Sequence, residues 1–402
     1  MTTKLKVLDA LPGCGKTHSI FRHMSQEQHK KWLYLSPMAE EINVRVHKEC
    51  EKHGVDFFVP SSDNGLLGEQ VLQALSEGKN VACTHALMMR FTDKHIEEIK
   101  KHKYSIVCDE ELNLISGYRI SDGDIEFLLR NDIIDICEKD GRVSFKDDKL
   151  KENARFADVK KLADMECLYA AKRDNRMLVT QLSTRLIRAS EEFILLTYNY
   201  KNSIMQTFMQ LHGYEFEEFN LQLRKSTEEV RSELRELIDI VEPLALKKIQ
   251  GKYPLSKSWW IDNNKSSLKQ RQEVINAIRS VVRSTGIPLD DMFYTLPKKI
   301  IDNSSVNKTY IKKSNFVACN VKATNEFKHK KLAIHAYALY PNQAVKSYMQ
   351  DMGYYCNDEV YALNMLIQWL FRGCIRDFKP MKVALLSKKM SLLFKEWLMQ
   401  QK

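Results

Sequence analysis

Residues 8 to 20 read LDALPGCGKTHSI, and no other stretch limits the fold so tightly. It follows the phosphate-loop pattern G-x-x-x-x-G-K-[ST]. Ala10 stands where the first glycine is usual, and Gly15-Lys16-Thr17 close the pattern. The run Lys4 to Leu8 ahead of it reads as a first strand, and Thr17 to Met24 can open a helix. Strand, glycine loop, helix is the context this pattern requires. Gly13 and Gly15 can turn the backbone so that its N–H groups face an anion. The helix N-terminus adds partial positive charge. Pro12 stiffens the turn and has no N–H to satisfy, and Cys14 lies between the two glycines. The chemistry predicts Lys16 against the β- and γ-phosphates of ATP, and the Thr17 hydroxyl on Mg²⁺.

A chain of 402 residues suits two domains with room for an insertion. Apolar residues make up 44%, enough for cores. Lys plus Arg is 62 against 52 Asp plus Glu, a net charge of +10. That excess suits a nucleic-acid partner and equally suits a merely soluble basic protein. The nine cysteines are odd in number, widely spaced and without a C-x-x-C pair. Neither a zinc site nor a disulfide framework is implied, and a reducing, cytoplasmic compartment is expected. No apolar leader opens the chain, and no run of about 18 apolar residues suggests a membrane span.

Short apolar runs alternate with helical stretches over the first 110 residues. KWLYLS (31–36), NVACT (80–84) and YSIVC (104–108) read as strands, and Ala39 to His53 as a helix. Alternation of this kind predicts a parallel α/β sheet. From 111 to 190 the pattern turns charged and mostly helical, an insertion, before FILL (193–196) returns to the sheet. Residues 221–290 read as a helical connector, with the adjacent Trp259 and Trp260 on a loop, as packing anchors or base-stacking groups. A second α/β unit follows over 291–402. Its expected strands are Asn315–Cys319, Leu332–Ala336 and Lys382–Leu386, and its long helix Asp358–Arg376.

YSIVCDEE (104–111) ends an apolar strand in two acids. This is a Walker B arrangement, with Asp109 for Mg²⁺ and Glu110 to orient or deprotonate the attacking water. In ALNMLIQWLFRGCIRDF (362–378), Gln368, Arg372 and Arg376 recur every four residues, so on a helix they share a face. Such a ridge can place donors against charge developing on a γ-phosphate, or it can be a solvated basic face. The basic stretches KTYIKK (308–313) and KHKK (328–331) suit a phosphate backbone or plain solvated surface.

Taken in order, these pieces resemble superfamily 2 helicases. YLSPMAEE (34–41), with Ser36-Pro37, is similar to their motif Ia, and Thr84-His85 to motif Ic; in that family both touch the nucleic-acid backbone. FILLTYN, ending in Thr197, resembles motif III, with Leu-Thr-Tyr where Ser-Ala-Thr is usual. Residues 315–342 resemble motif V, with Asn320, Thr324 and Asn325 as contacting groups and without its usual Gly-Asp. The Gln368, Arg372, Arg376 set resembles the arginine-finger motif VI, with Phe371 for its glycine and the second arginine one residue late. The whole looks most like the compact helicase-like ATPases of bacteriophages.

The resemblance implies an α/β fold of two RecA-like P-loop domains, parallel sheets flanked by helices, with a mainly helical insertion and a connector. The domains would be 1–220, with the insertion at about 111–190, then the connector 221–290, then 291–402. It implies ATP and Mg²⁺ in a cleft between the domains, with DNA ahead of RNA as partner, and replication or recombination proteins beside it. The activity would be an ATP-dependent helicase or translocase. The alternatives are a DNA-packaging, terminase-like ATPase or a regulatory P-loop NTPase that moves no strand. A packaging enzyme would carry clustered nuclease carboxylates, and none stands out beyond residue 300. A superfamily 1 helicase shares the PGCGKT loop but would carry an arginine near Val383 to Ser387. A small-molecule kinase needs no second α/β domain.

Overall fold

The computed structural model describes residues 4–146, 154–201, 203–242, 253–261, 265–302, 311–320 and 326–400. Two compact units divide the chain. The first holds Met1–Asp9, Ile20–Leu221 and Pro341–Asn357; the second holds Ala10–Ser19, Gln222–Tyr340 and Asp358–Lys402. No helix among the described residues is long and apolar enough to cross a membrane.

The strands of the first unit are β1 Lys4–Asp9, β2 Lys31–Ser36, β3 Val81–Thr84, β4 Tyr104–Asp109, β5 Ile115–Tyr118, β6 Ile134–Ile136, β7 Val143–Phe145, β8 Leu168–Ala170, β9 Leu178–Gln181, β10 Glu192–Thr197 and β11 Glu215–Glu218. Six of them form one parallel sheet in the order β11-β1-β10-β4-β2-β3. Its inner strands β2, β4 and β10 are near-continuous apolar runs, as a sheet covered on both faces demands. All six residues of β4 are buried. β11, EFEE, is the opposite case, a charged strand on an edge.

Because the strands run one way, Asp9, Ser36, Thr84, Asp109 and Thr197 end on one rim. The register aligns them: Asp9 faces Thr197, Leu196 faces Asp109, and Ser36 faces Thr84. The carboxyl rim is where open parallel sheets present ligand sites. The other rim is pinned by Glu192, which accepts hydrogen bonds from Lys6 at 2.7 Å, Lys30 at 2.8 Å and Ser105 at 3.0 Å.

The insertion lies between β4 and β10. It has the expected helices, Asp122–Arg130 and Ala157–Asp164, but also five short strands that charge patterning hid. β5, β9 and β8 make an antiparallel sheet, and β6 and β7 a hairpin. Ile125, Leu128, Val143, Phe156 and Leu168 give it a core of its own. The helix Gln343–Asp351, from late in the chain, packs on β5 and β9. There the Tyr348 hydroxyl donates to the Asp140 carbonyl at 3.0 Å.

The second unit is built on β12 Ile238–Ile240, β13 Met292–Thr295, β14 Leu332–His335 and β15 Met381–Leu385, a parallel sheet in the order β12-β15-β14-β13. Side chains alternate across it. Met292, Tyr294, Leu332 and Ile334 pack with Val274, Ile278 and Val281 of the helix Lys265–Thr285. On the alternate positions Phe293 meets Trp369, ring centroids 4.6 Å apart.

Three expectations for this unit are corrected. Residues 315–319 are not a strand: Lys313–Asn315 is a tight helical turn, followed by a single bridge from Phe316 to Tyr294. Asn315 is buried there, its amide donating to the Leu289 carbonyl and its oxygen accepting from Lys330, so side-chain bonds replace a ladder. Lys330 is thereby removed from the basic surface expected at 328–331. Trp259 and Trp260 sit on the helix Lys257–Ile261, not a loop, and Trp260 is a packing anchor whose indole donates to the Ala336 carbonyl at 3.0 Å.

The third correction concerns the long helix. It ends at Leu370, and a turn leads into a second, 3-10 segment at Cys374–Asp377. Gly373 is the reason. A Cβ there would stand 2.7 Å from both Met381 Sδ and Phe293 Cε1, so only glycine lets the chain pass the sheet. Cys374 N–H then bonds to the Lys330 carbonyl at 3.0 Å rather than back into the helix. Gln368, Arg372 and Arg376 therefore do not form one helical ridge.

Candidate active site

The glycine-rich loop follows β1 and opens the helix Lys16–Gln26. Gly13 and Gly15 both take positive φ, +93° and +92°, a region closed to side-chain-bearing residues. Close packing excludes side chains as well. A Cβ on Gly13 would lie 3.1 Å from Phe378 Cζ, and one on Gly15 3.1–3.2 Å from the Arg224 stem. Lys16 Nζ donates to the carbonyls of Ala10 at 2.5 Å and Leu11 at 3.2 Å, so its ammonium lies within the turn. Thr17 and Cys14 are buried, and Pro12 is half-buried. Burial pushes the Cys14 thiol up, which keeps it neutral.

A segment from Gln222 to Thr227 straps this loop. Arg224 and Lys225 N–H groups both bond to the Cys14 carbonyl, at 3.1 and 3.4 Å. Thr227 Oγ1 accepts from Leu11 N–H at 3.4 Å, and Ser19 Oγ donates to the Gln222 carbonyl at 2.8 Å. The loop geometry is thus held from outside as well as by its own glycines.

On the carboxyl rim of the first sheet, Asp109 is buried, and its Oδ2 accepts from the Tyr34 hydroxyl at 2.7 Å. Burial, and the neighbouring Asp109 carboxylate, push the Tyr34 phenol well above its usual value, so it stays a donor. Glu110 sits in the left-handed region, φ 65°, with its N–H bonded to the Leu196 carbonyl at 2.9 Å. A non-glycine residue held there stores about 1–2 kcal/mol of strain, a property that clusters at functional sites. Glu111 Oε1 accepts from Thr197 Oγ1 at 3.3 Å, which ties the acidic turn to the end of β10. Asp9 accepts from the N–H groups of Asn199 at 2.6 Å and Tyr200 at 2.8 Å.

Ser36 is buried at the end of β2, next to Glu41, while Pro37 is half-buried. The helix after them carries one π turn, Ile42–Val46, a feature frequent at functional sites. The Thr84 hydroxyl caps the following turn, accepting from Leu87 N–H at 3.1 Å, and His85 Nε2 lies 3.6 Å from Cys108 Sγ. In the second unit Gln368 and Arg376 are half-buried and Arg372 is only 4% exposed, which rules out a plain solvated basic face at Arg372. Asn320 is exposed; Thr324 and Asn325 lie outside the described residues.

Sequence reasoning passed over Tyr34, Glu111 and the strap. A hydroxyl inside an otherwise apolar strand, and a third acid after Asp109-Glu110, were the available signals. Nothing local marks Arg224, because its relation to Gly15 joins residues far apart in the chain.

Residues 232–398 match the family described as the YonV C-terminal Rossmann-like domain, and residues 115–179 match the YonV middle domain. The chain is 24% identical, over 99% of its length and 100% of the relative's, to the SPbeta prophage-derived uncharacterized protein YonV of Bacillus subtilis (strain 168). In fold it is similar to a solved apo XPD, with a TM-score of 0.56 and 14% identity over 98% of this chain and 95% of the other. It is also similar to Xpd4 of S. tokodaii, with a TM-score of 0.52 and 14% identity over 99% and 95%.

Proposed function

We propose that this chain is an ATP-dependent nucleic-acid helicase or translocase of the superfamily 2 kind, prophage-borne like its B. subtilis relative. One observation carries the reading. The strand that leads into Gly13-Cys14-Gly15-Lys16-Thr17 and the strand that ends in Asp109-Glu110 flank β10 in one parallel sheet and end on the same rim. The fold likeness to the two XPD structures agrees with it.

The donor set suits Mg²⁺. A buried carboxylate, Asp109, and a hydroxyl, Thr17, are hard oxygen ligands of the type it prefers. When bound, the ion would neutralise charge on the β- and γ-phosphates. The loop N–H groups from Gly13 to Thr17 orient the phosphates, and Lys16 turns from the Ala10 carbonyl to the polyphosphate. Glu110 takes a proton from the attacking water. Gln368, Arg372 and Arg376 supply donors for the γ-phosphate charge. Ser36, Pro37, Thr84, His85 and Asn320, with Thr324 and Asn325, are the proposed nucleic-acid contacts.

The test is steady-state ATP hydrolysis by the purified protein, alone and with single-stranded DNA, duplex DNA or RNA, at low and moderate salt. Stimulation by one polymer that fades with salt is expected, and Lys16→Ala should abolish turnover. Hydrolysis that responds to no polymer would leave the regulatory or packaging ATPase as the better account. Hydrolysis that survives Lys16→Ala would remove the site altogether.

A further inference from the structure

Arg224 is set against the glycine loop, and among the described residues it has no anionic partner. Its Cβ, Cγ and Cδ lie 3.1–3.2 Å from the position of a Cβ on Gly15, so the stem lies along the residue before Lys16. Its backbone is fixed there, since the N–H groups of Arg224 and of Lys225 share the Cys14 carbonyl. Most of the charged residues after it are matched. Lys225 reaches Glu233 at 2.6 Å, Arg231 and Arg235 both reach Glu228, and Glu229 accepts from Ser226 N–H at 2.7 Å. Arg224 alone in this run has an exposed guanidinium with no acceptor among the described residues.

An arginine held by its backbone, with its stem packed and its head free, is preorganised for an incoming anion. A planar guanidinium matches phosphate oxygens two at a time. The loop beside it is the proposed binding place for the nucleotide's phosphates. We infer that Arg224 is a further phosphate-binding residue of this site, contributed by the strap and distinct from Lys16, Arg372 and Arg376. Its ligand is the polyphosphate of a nucleoside triphosphate, not the base or sugar. The inference rests on the ATPase reading.

The experiment is equilibrium binding of ATP, inorganic tripolyphosphate and adenosine to the full chain, as wild type, Arg224→Ala and Arg224→Lys, with melting temperatures recorded alongside. Arg224→Ala should weaken ATP and tripolyphosphate by roughly ten- to a hundredfold, the range of a hydrogen bond to a charged group. Adenosine binding should not move, because the ligand is the polyphosphate, and Arg224→Lys, which keeps most of the packed stem, should hold the wild-type melting temperature. Arg224→Lys should restore part of the loss. If the wild type binds ATP and Arg224→Ala binds it equally, only the assignment of Arg224 falls. If the wild type binds neither ATP nor tripolyphosphate, the ATPase reading falls and takes this one with it. A loss that extends equally to adenosine, or that accompanies a drop in melting temperature, would make Arg224 a structural strut and overturn the inference.

Discussion

Replacing Glu192 with Gln removes the charge that three donors converge on at the amino rim of the first sheet. Burial by itself would raise this carboxyl, but hydrogen bonds from Lys30 and Lys6, the Lys6 charge and Ser105 hold it down to about 2, against an ordinary 4.5. At about 1.36 kcal/mol per unit, that gap corresponds to ~3 kcal/mol. Lys6 and Lys30 are 31% and 27% exposed, so solvent screening trims it. About 2 kcal/mol is expected to be lost at pH 7. The folded value lies below the unfolded one, so the contribution is whole above about pH 4.5 and fades as pH falls toward 2. Wild type and Glu192→Gln should therefore converge across that window. A chain of two units need not unfold in one step. The assay is thus hydrogen exchange against urea for peptides covering β1, β4 and β10, at pH 7, 5 and 3. A difference under about 0.5 kcal/mol at pH 7, or one that is the same at pH 7 and pH 3, would refute the reasoning.

Glu110→Gln should cut ATP turnover by about 10²–10⁴-fold with nucleotide affinity retained, since a general base is lost and no binding group; equal kinetics would remove Glu110 from that role. Glu110→Gly should be inactive yet no less stable than wild type, because it relieves the left-handed strain of about 1–2 kcal/mol, and a melting temperature several degrees lower would contradict this. Tyr34→Phe takes a donor from the buried Asp109 carboxylate and should cost about 1–3 kcal/mol; a thermal melt indistinguishable from wild type would count against the 2.7 Å bond. Trp260→Ala should destabilise the second unit by about 3–5 kcal/mol, read by urea titration, with little effect on exchange in β1 and β4.

Strands β1, β2, β3, β4, β10, β14 and β15 were legible because buried parallel strands write themselves as apolar runs. β11 carries three glutamates, so its edge position erased the signal. β12 and the insertion's β6, β7 and β8 have three residues each, too few to show a period. The four-residue spacing of Gln368, Arg372 and Arg376 imitated a helix face. What broke it was Gly373's approach to Met381 and Phe293, a contact with no local mark. At the candidate site, the glycine loop with Lys16 and Thr17 and the strand ending in Asp109-Glu110 were visible as patterns of residue types at short spacing, and their roles are those proposed above. Tyr34 and Arg224 are set by neighbours that only the fold supplies, Asp109 and Gly15.

The first unit closes with Pro341–Asn357, a piece that the ribosome makes after β14 of the second unit and before β15. Val345, Tyr348 and Met349 of that piece belong to the first unit's main core. A nascent chain of the first 221 residues therefore lacks a wall and must wait with apolar surface open. Its completion needs contacts of long sequence separation, the slow kind that also invites aggregation. A fragment cut after residue 221 is expected to be poorly soluble on its own. The two units are thus tied into one biosynthetic event, and anyone dividing this protein for study must carry 341–357 along with the N-terminal half.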